Sequence, residues 1–241
     1  MAIILESIPS TNTYVKENFF SLADGTCVAA LEQTAGRGRL GRKWLANRGE
    51  SIALSAAFRR VQAGFHAGAI VGVAALDVLR TLAPGVDFFF KWPNDIYVKN
   101  AKIAGILSEG VIRGGQLAGV VCGIGINLNQ TCETLALTGV PACSIFSLTG
   151  VEKDVKKVIF QLEKSINECY IRYNRNPNDI LSRWRSENRL AGRKLQFIPP
   201  DGNAFEGVFV EIDENGAMSV QTADGLRTFD CGDVKICTDT L

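Results

Sequence analysis

Gly36-Arg37-Gly38-Arg39-Leu40-Gly41-Arg42-Lys43-Trp44 contains a GxGxxG string, and its reading decides the fold class. In a doubly wound dinucleotide fold a helix follows that string directly, and an acidic residue stands about 20 positions on. Here 44–49 continues as loop, and Phe58-Arg59-Arg60-Val61 carries no acid. Arg37 and Arg39 would also crowd a pyrophosphate turn. The segment is therefore no nucleotide-fold signature. It is a basic, glycine-rich loop with four cations in nine residues. Glycines let the backbone close on a ligand, and interleaved arginines aim forked donors at phosphate or carboxylate. A solvated basic loop, or a local contact with RNA or DNA, fits the same composition. As a ligand loop it is expected to be mobile alone and ordered by its ligand, shielding a reactive intermediate from water.

Outward from this loop the pattern is α+β. Ser10-Thr11-Asn12 reads as a helix N-cap, with the helix running to about Phe20. Residues 27–33 are β-like, 35–50 should be a long loop, and 51–58 alternates as a strand. Residues 65–82 form a helix stopped by Ala83-Pro84-Gly85. β-Like segments follow at 87–91, 96–98 and 103–112, and 117–128 returns across a Gly114-Gly115 turn. Helices are predicted at 153–173 and 177–187, the second with Pro177 at its first position. Beyond Leu190 the texture changes to short strands at 195–198, 206–212, 218–222, 226–229 and 234–236. Asn215-Gly216 and Asp224-Gly225 read as turns among them. The expectation is a domain over 1–189 and a small β-barrel over 190–241.

Composition narrows the function. The 241 residues carry 26 Lys+Arg against 25 Asp+Glu, so no domain-wide basic excess marks a nucleic-acid binder. No secretory signal precedes the first apolar residues, and the apolar runs 67–76 and 117–126 are shorter than the roughly 20 residues that span a bilayer. The seven cysteines, at 27, 122, 132, 143, 169, 231 and 237, include no CxxC pair. They read as reduced thiols of a cytoplasmic protein, mostly small core residues. His66, the single histidine, sits in an apolar helical run, which excludes His-cluster metal sites. An enzyme built from this chain would work by positioning and charge.

Three further segments carry chemistry. Lys91-Trp92-Pro93-Asn94-Asp95 follows the apolar Phe88-Phe89-Phe90, and Pro93 fixes the turn that presents Asn94 and Asp95. Asn-Asp is also ordinary turn chemistry. Lys102 opens the apolar Ile103-Ala104-Gly105-Ile106-Leu107, either as a solvated strand end or as a charge aimed into a cleft; Gly105 admits close approach by a ligand. Gly123-Ile124-Gly125-Ile126-Asn127-Leu128 places two glycines on one strand face, leaving a groove that Asn127 closes. A bulged strand with a turn asparagine would read the same way.

Taken together, these segments resemble the catalytic domain of biotin–protein ligases in order and spacing. The matching stretches are 10–12, 33–44, 91–96, 102–107 and 123–128, so the motifs cover about residues 10–130. The resemblance implies a class II synthetase-like mixed sheet flanked by helices, with a small SH3-like C-terminal barrel. It implies that Ser10, Thr11, Asn12 and Gln33 bond the ureido head of biotin. Arg37, Gly38 and Arg39 would close over the biotin carboxylate and the α-phosphate. Arg42, Lys43, Asn94 and Asn127 would hold ATP, with Arg39 also on that side. Lys102 would bridge carboxylate and phosphate, Gly105 would form pocket floor, and Asp95 would sit beside the acyl centre. The catalytic set is thus Arg39, Lys102 and Asp95. Magnesium would accompany ATP, with no ligand set legible, and the acceptor would be a biotin carboxyl carrier domain. Some relatives carry an N-terminal DNA-binding domain; the first motif here begins at Ser10, so no DNA binding is expected, and no membrane role. A homodimer is compatible with the sequence, which does not identify the strand that would pair. A lipoate–protein ligase shares the adenylate chemistry, and a non-catalytic biotin- or nucleotide-sensing dimer would keep the pocket without needing Asp95 or Lys102.

Overall fold

The computed structural model describes residues 1–190, 193–198, 204–230 and 233–236. The chain begins with β1 (Ile3–Leu5), α1 (Thr11–Glu17), β2 (Cys27–Ala30), β3 (Ser51–Phe58) and α2 (Gly64–Leu82). β4 (Phe88–Lys91), β5 (Asp95–Val98), β6 (Ala101–Arg113) and β7 (Gln116–Asn127) follow. Then come α3 (Cys132–Ala136), α4 (Ile145–Thr149), α5 (Val155–Arg175) and α6 (Pro177–Ser186). β8 (Lys194–Ile198), β9 (Phe205–Ile212), β10 (Met218–Thr222), β11 (Gly225–Phe229) and β12 (Asp233–Ile236) end the described chain.

Seven strands form one mixed sheet in the order β1-β2-β3-β7-β6-β5-β4, parallel only between β1 and β2. The fold is α+β, as expected. Strand alternation divides the sheet into two working faces. On one face Ile52, Leu54, Ile106, Ile124 and Ile126 join α2 and α5 in the main core. On the other, the register aligns Ala53, Gly125, Gly105 and Asp95 in one row across β3, β7, β6 and β5. Ser55, Gly123 and Leu107 form the next row. Part of this second face is covered by α1 and the turn after it, where Val15 and Phe19 pack with Val28, Ala57, Val111 and Val121. β3 is therefore buried on both sides along its length, and its alternation is between core and site rather than between core and water.

One irregularity sets the side on which Lys102 lies. Ile96 pairs with Ala104, but Tyr97 pairs with Lys102, so Ile103 is an extra residue, a β-bulge. Counting back by twos from Gly105 along a regular strand would put Ile103 on the second face and Lys102 in the core. The bulge reverses this: Ile103 is fully buried in the core, and Lys102 joins the face of Asp95 and Gly105.

Helix ends follow local chemistry. The Ser10 side chain caps α1, which stops at Glu17 rather than Phe20. α2 ends where Pro84 cannot continue it, and Gly85 takes φ +82°. Asp154 caps α5, and Asn176 caps α6 with Pro177 in its first turn. α2 is long and apolar enough to cross a membrane, but here it is the core helix, 67% buried between sheet, α5 and α6. The short α3 and α4 were not foreseen; Thr131 and Ser144 cap them.

β8 to β12 form a separate antiparallel sheet in the order β11-β10-β9-β8-β12. It meets the first sheet at Trp92, whose indole N–H donates to Gly216 O at 2.9 Å and whose ring faces Phe197. Gly216 has φ +88°, and a Cβ there would lie 2.4 Å from the Phe65 ring, so the junction requires glycine. Cys27, Cys122, Cys143 and Cys169 are buried and Cys132 is exposed. Burial pushes the Cys27 and Cys122 thiols up to about 12 and those of Cys143 and Cys169 to about 11. Cys231 and Cys237 lie outside the described residues.

Candidate active site

The second sheet face opens into a cavity of about 850 Å³. Every residue singled out in the sequence lines it: Ser10, Thr11, Asn12, Gln33, Arg37, Gly38, Arg39, Arg42, Lys43, Asn94, Asp95, Lys102, Gly105 and Asn127. Segments more than a hundred residues apart meet because the glycine row at 105, 123 and 125 leaves the sheet surface low.

One end is neutral and polar. Gln33 Oε1 accepts from the Thr11 backbone N–H at 2.8 Å and from Thr11 Oγ1 at 3.1 Å. Ser55 Oγ lies 2.7 Å from Thr11 Oγ1 and 2.6 Å from Asn12 Oδ1. Asn12 Nδ2 donates to Leu107 O at 3.1 Å and to Glu109 Oε2 at 2.8 Å. Ser10, Thr11 and Asn12 are each 6% exposed or less, so this network is fixed before any ligand arrives. A head group bearing both donors and acceptors fits such a wall.

The other end is cationic. Arg37, Arg39, Arg42, Lys43, Lys91 and Lys102 line the cavity, against the carboxylate of Asp95 alone among the described residues. Asn94 joins the turn to β6: its N–H₂ donates to Ile106 O at 2.7 Å, and its backbone carbonyl accepts from Ile106 N–H at 2.8 Å. Its Oδ1 accepts from Arg39 Nη1 at 3.1 Å and so aims that guanidinium. Lys102 Nζ stands 2.6 Å from Asp95 Oδ1, an ion pair off the line of a hydrogen bond, so Oδ1 has no directed donor. Asn127 lines the cavity but its amide is committed elsewhere. It donates to Cys143 O at 3.0 Å and Lys102 O at 3.4 Å, and accepts from Gln130 Nε2 at 3.2 Å. In this arrangement it fixes the lysine's backbone.

The basic loop is not structureless, as its lack of periodicity suggested. It folds as a hairpin: Trp44 N–H donates to Gly36 O and Gly38 N–H to Arg42 O. A one-turn 3₁₀ helix, Arg39–Gly41, makes the tip. A Cβ on Gly36 would lie 2.3 Å from Trp44 O, so here glycine lets the backbone close on itself. The hairpin drops Trp44 onto the glycine row. A Cβ at Gly125 would meet the indole at 2.1 Å, and one at Gly123 would meet Asn12 Oδ1 at 2.1 Å. The groove read as unfilled is thus occupied by these two side chains. Trp44 Nε1 is buried without a hydrogen-bond partner, which marks a donor awaiting an acceptor.

Sequence reasoning missed Glu109, Ser55, Gln130 and the wall at 134–142. Glu109 and Ser55 were findable: each lies on the glycine-bearing sheet face, at even spacing from Gly105 or opposite Gly123. His66 takes no part. It is 6% exposed, and its Nδ1 lies 2.8 Å from Tyr173 OH.

The model of the biotin/lipoate A/B protein ligase family matches residues 4–127. The chain belongs to that family. Within the biotin/lipoate ligase family it is 30% identical to the bifunctional ligase/repressor BirA of Salmonella typhimurium, over 97% of this chain and 73% of that protein. It is 30% identical to the biotin–[acetyl-CoA-carboxylase] ligase of Mycobacterium tuberculosis, over 88% of this chain and 79% of that one. In three dimensions it superposes on the biotin protein ligase of Aquifex aeolicus in complex with biotin and ATP. There the TM-score is 0.80, with 26% identity and 98% of both chains covered.

Proposed function

We propose that this chain is a biotin–protein ligase, which makes biotinyl-5′-AMP from biotin and ATP and passes biotin to a lysine of a carboxyl carrier domain. One observation carries the reading: a single cavity joins a preformed neutral hydrogen-bonding wall to a cluster of cations that, among the described residues, faces one carboxylate. The wall suits a ureido head, and the cations suit a carboxylate beside a triphosphate.

In the first step a biotin carboxylate oxygen attacks the α-phosphorus. The bond to the β,γ-pyrophosphate breaks, and pyrophosphate leaves. Two anions must approach, so the chemistry consists of screening and alignment. Arg39, aimed by Asn94, and Lys102 supply charge where the new P–O bond forms. Lys102 reaches the anions by leaving Asp95, which exchanges one carboxylate partner for another. In the second step the lysine amine attacks the acyl carbon, the anhydride C–O bond breaks, and AMP departs. Asp95, released from Lys102, is placed to orient the amine and take its proton.

Magnesium, which neutralises departing pyrophosphate, would enter with the nucleotide. Among the described cavity residues, Asp95 supplies the carboxylate that could help hold such an ion.

The test is to incubate the protein with ATP, magnesium and either biotin or lipoate, and to identify the acyl-adenylate by mass spectrometry. A carrier domain added afterwards should gain one biotinyl group. Lipoyl-AMP, or no adenylate, overturns the reading.

A further inference from the structure

Glu109 lies outside the cavity lining, yet it joins two parts of the site, the wall on α1 and the basic hairpin. Its carboxylate accepts from Asn12 Nδ2 at 2.8 Å, on the neutral wall. It pairs with Arg37 Nη2 at 3.2 Å, on the basic hairpin. Lys16 Nζ, one turn further along α1, stands 3.7 Å away. Arg37 Nη2 also donates to Thr13 Oγ1 at 3.2 Å, so the guanidinium is held against α1 from two sides. From Asn12 the chain of contacts runs through Ser55 to Thr11 and Gln33.

We infer that Glu109 is a positioning residue for the biotin site, acting as the catch that holds the hairpin at Arg37 against the wall that reads the biotin head. Two physical points make it more than a surface ion pair. Its side chain is only 20% exposed, against 48% for Arg37, so the rigid partner is the strand and the hairpin is the part secured. The same carboxylate sets the orientation of the Asn12 amide. With Nδ2 committed to Glu109 and Leu107, Asn12 Oδ1 is turned to Ser55. A carboxylate alone satisfies both demands: Asn12 needs an acceptor, and Arg37 needs a negative charge.

The assignment rests on the biotin reading of this cavity, and the test separates the two. Glu109→Gln keeps an acceptor for Asn12 and removes the charge that holds Arg37. Without any ligand, trypsin cleavage within the hairpin, at Arg37, Arg39, Arg42 or Lys43, should quicken about fivefold at an unchanged melting temperature, as loss of a partly exposed charged contact would produce. In adenylate formation the KM for biotin should rise about fivefold, with the KM for ATP and kcat moving less than about twofold. Arg37→Gln should reproduce both effects, and Glu109→Gln added to Arg37→Gln should change nothing further. Unchanged cleavage overturns the role of Glu109, as do biotin and ATP KM values that rise together, or effects that add in the double variant. If no biotinyl-AMP forms with any protein, the functional reading fails, while the cleavage rates still decide whether Glu109 holds the hairpin.

Discussion

Replacing Lys102 with Met tests stability and chemistry at the same atom. Lys102 and Asp95 are 22% and 18% exposed, with 2.6 Å between Nζ and Oδ1. Met keeps most of the volume and removes the charge. It leaves a carboxylate whose Oδ1 is buried with no other partner. Breaking a fully buried pair costs about 3–5 kcal/mol; since water reaches about a fifth of each side chain, about 1–3 kcal/mol is expected here. For a chain of this size that is roughly 2–12 °C in melting temperature. Lys102→Met with Asp95→Asn removes the stranded charge and should regain most of that loss. Catalysis should behave differently. A cation that touches charge developing in the transition state contributes about 3–4 kcal/mol, so adenylation should fall roughly 10²- to 10³-fold in both variants. Single-turnover biotinyl-AMP formation, measured beside thermal melts of the three proteins, separates the outcomes. Undiminished adenylation in Lys102→Met refutes the bridging role. Recovery of adenylation together with stability in the double variant shows that Lys102 served only the fold.

Three other expectations follow from the same geometry. Gly125→Ala puts a methyl 2.1 Å from the Trp44 ring; overpacking should cost about 1–3 kcal/mol and weaken biotin binding, and calorimetric melting and titration that both match the parent would refute the close seat. Arg39→Ala, which loses the bond to Asn94, should release biotinyl-AMP faster at an unchanged melting temperature; stopped-flow release at the parental rate would count against retention by Arg39. Burial holds His66 below its ordinary value of 6.5, opposed by the backbone and charge of Glu214. The unfolded chain therefore takes up a proton near pH 6.5 that the folded one still refuses, and stability falls as pH drops below about 6.5. Denaturant midpoints at pH 7.5 and 5 should differ less in His66→Gln, and equal differences would assign the acid sensitivity to other groups.

The sequence made most of the site legible because its chemistry sits in short contiguous strings. Lys91 to Asp95 and Gly36 to Trp44 each announce themselves without tertiary information. Helix α2 was legible from its apolar run and its Pro-Gly stop. What stayed hidden depends on the partner across a gap. Gly36 reads as freedom until Trp44 O is seen against it. Gly125 reads as an empty groove until the indole settles there, and Asn127 reads as a ligand contact until its amide is traced to Cys143 and Lys102. Even spacing from Gly105 tells only which sheet face Glu109 is on; its importance comes from Asn12 and Arg37, 97 and 72 residues away. The short helices α3 and α4 have too few turns for periodicity to register.

The extra residue at Ile103 has a consequence for how this site can vary. Between Lys102 and Gly105 the ladder sets parity: three regular steps would turn the ammonium into the core, and the bulge turns it to the site. Exchanging one apolar side chain for another at 103 leaves that parity intact, because the residue only has to fill the core. Straightening the bulge at the same length would keep every motif letter and turn the lysine into the core, whereas deleting the residue would leave a regular two-step spacing with the lysine still on the site face. At this strand the bulge itself is under tighter constraint than the side chain that fills it, and an active-site cation can be lost by a shift of the ladder without mutating it.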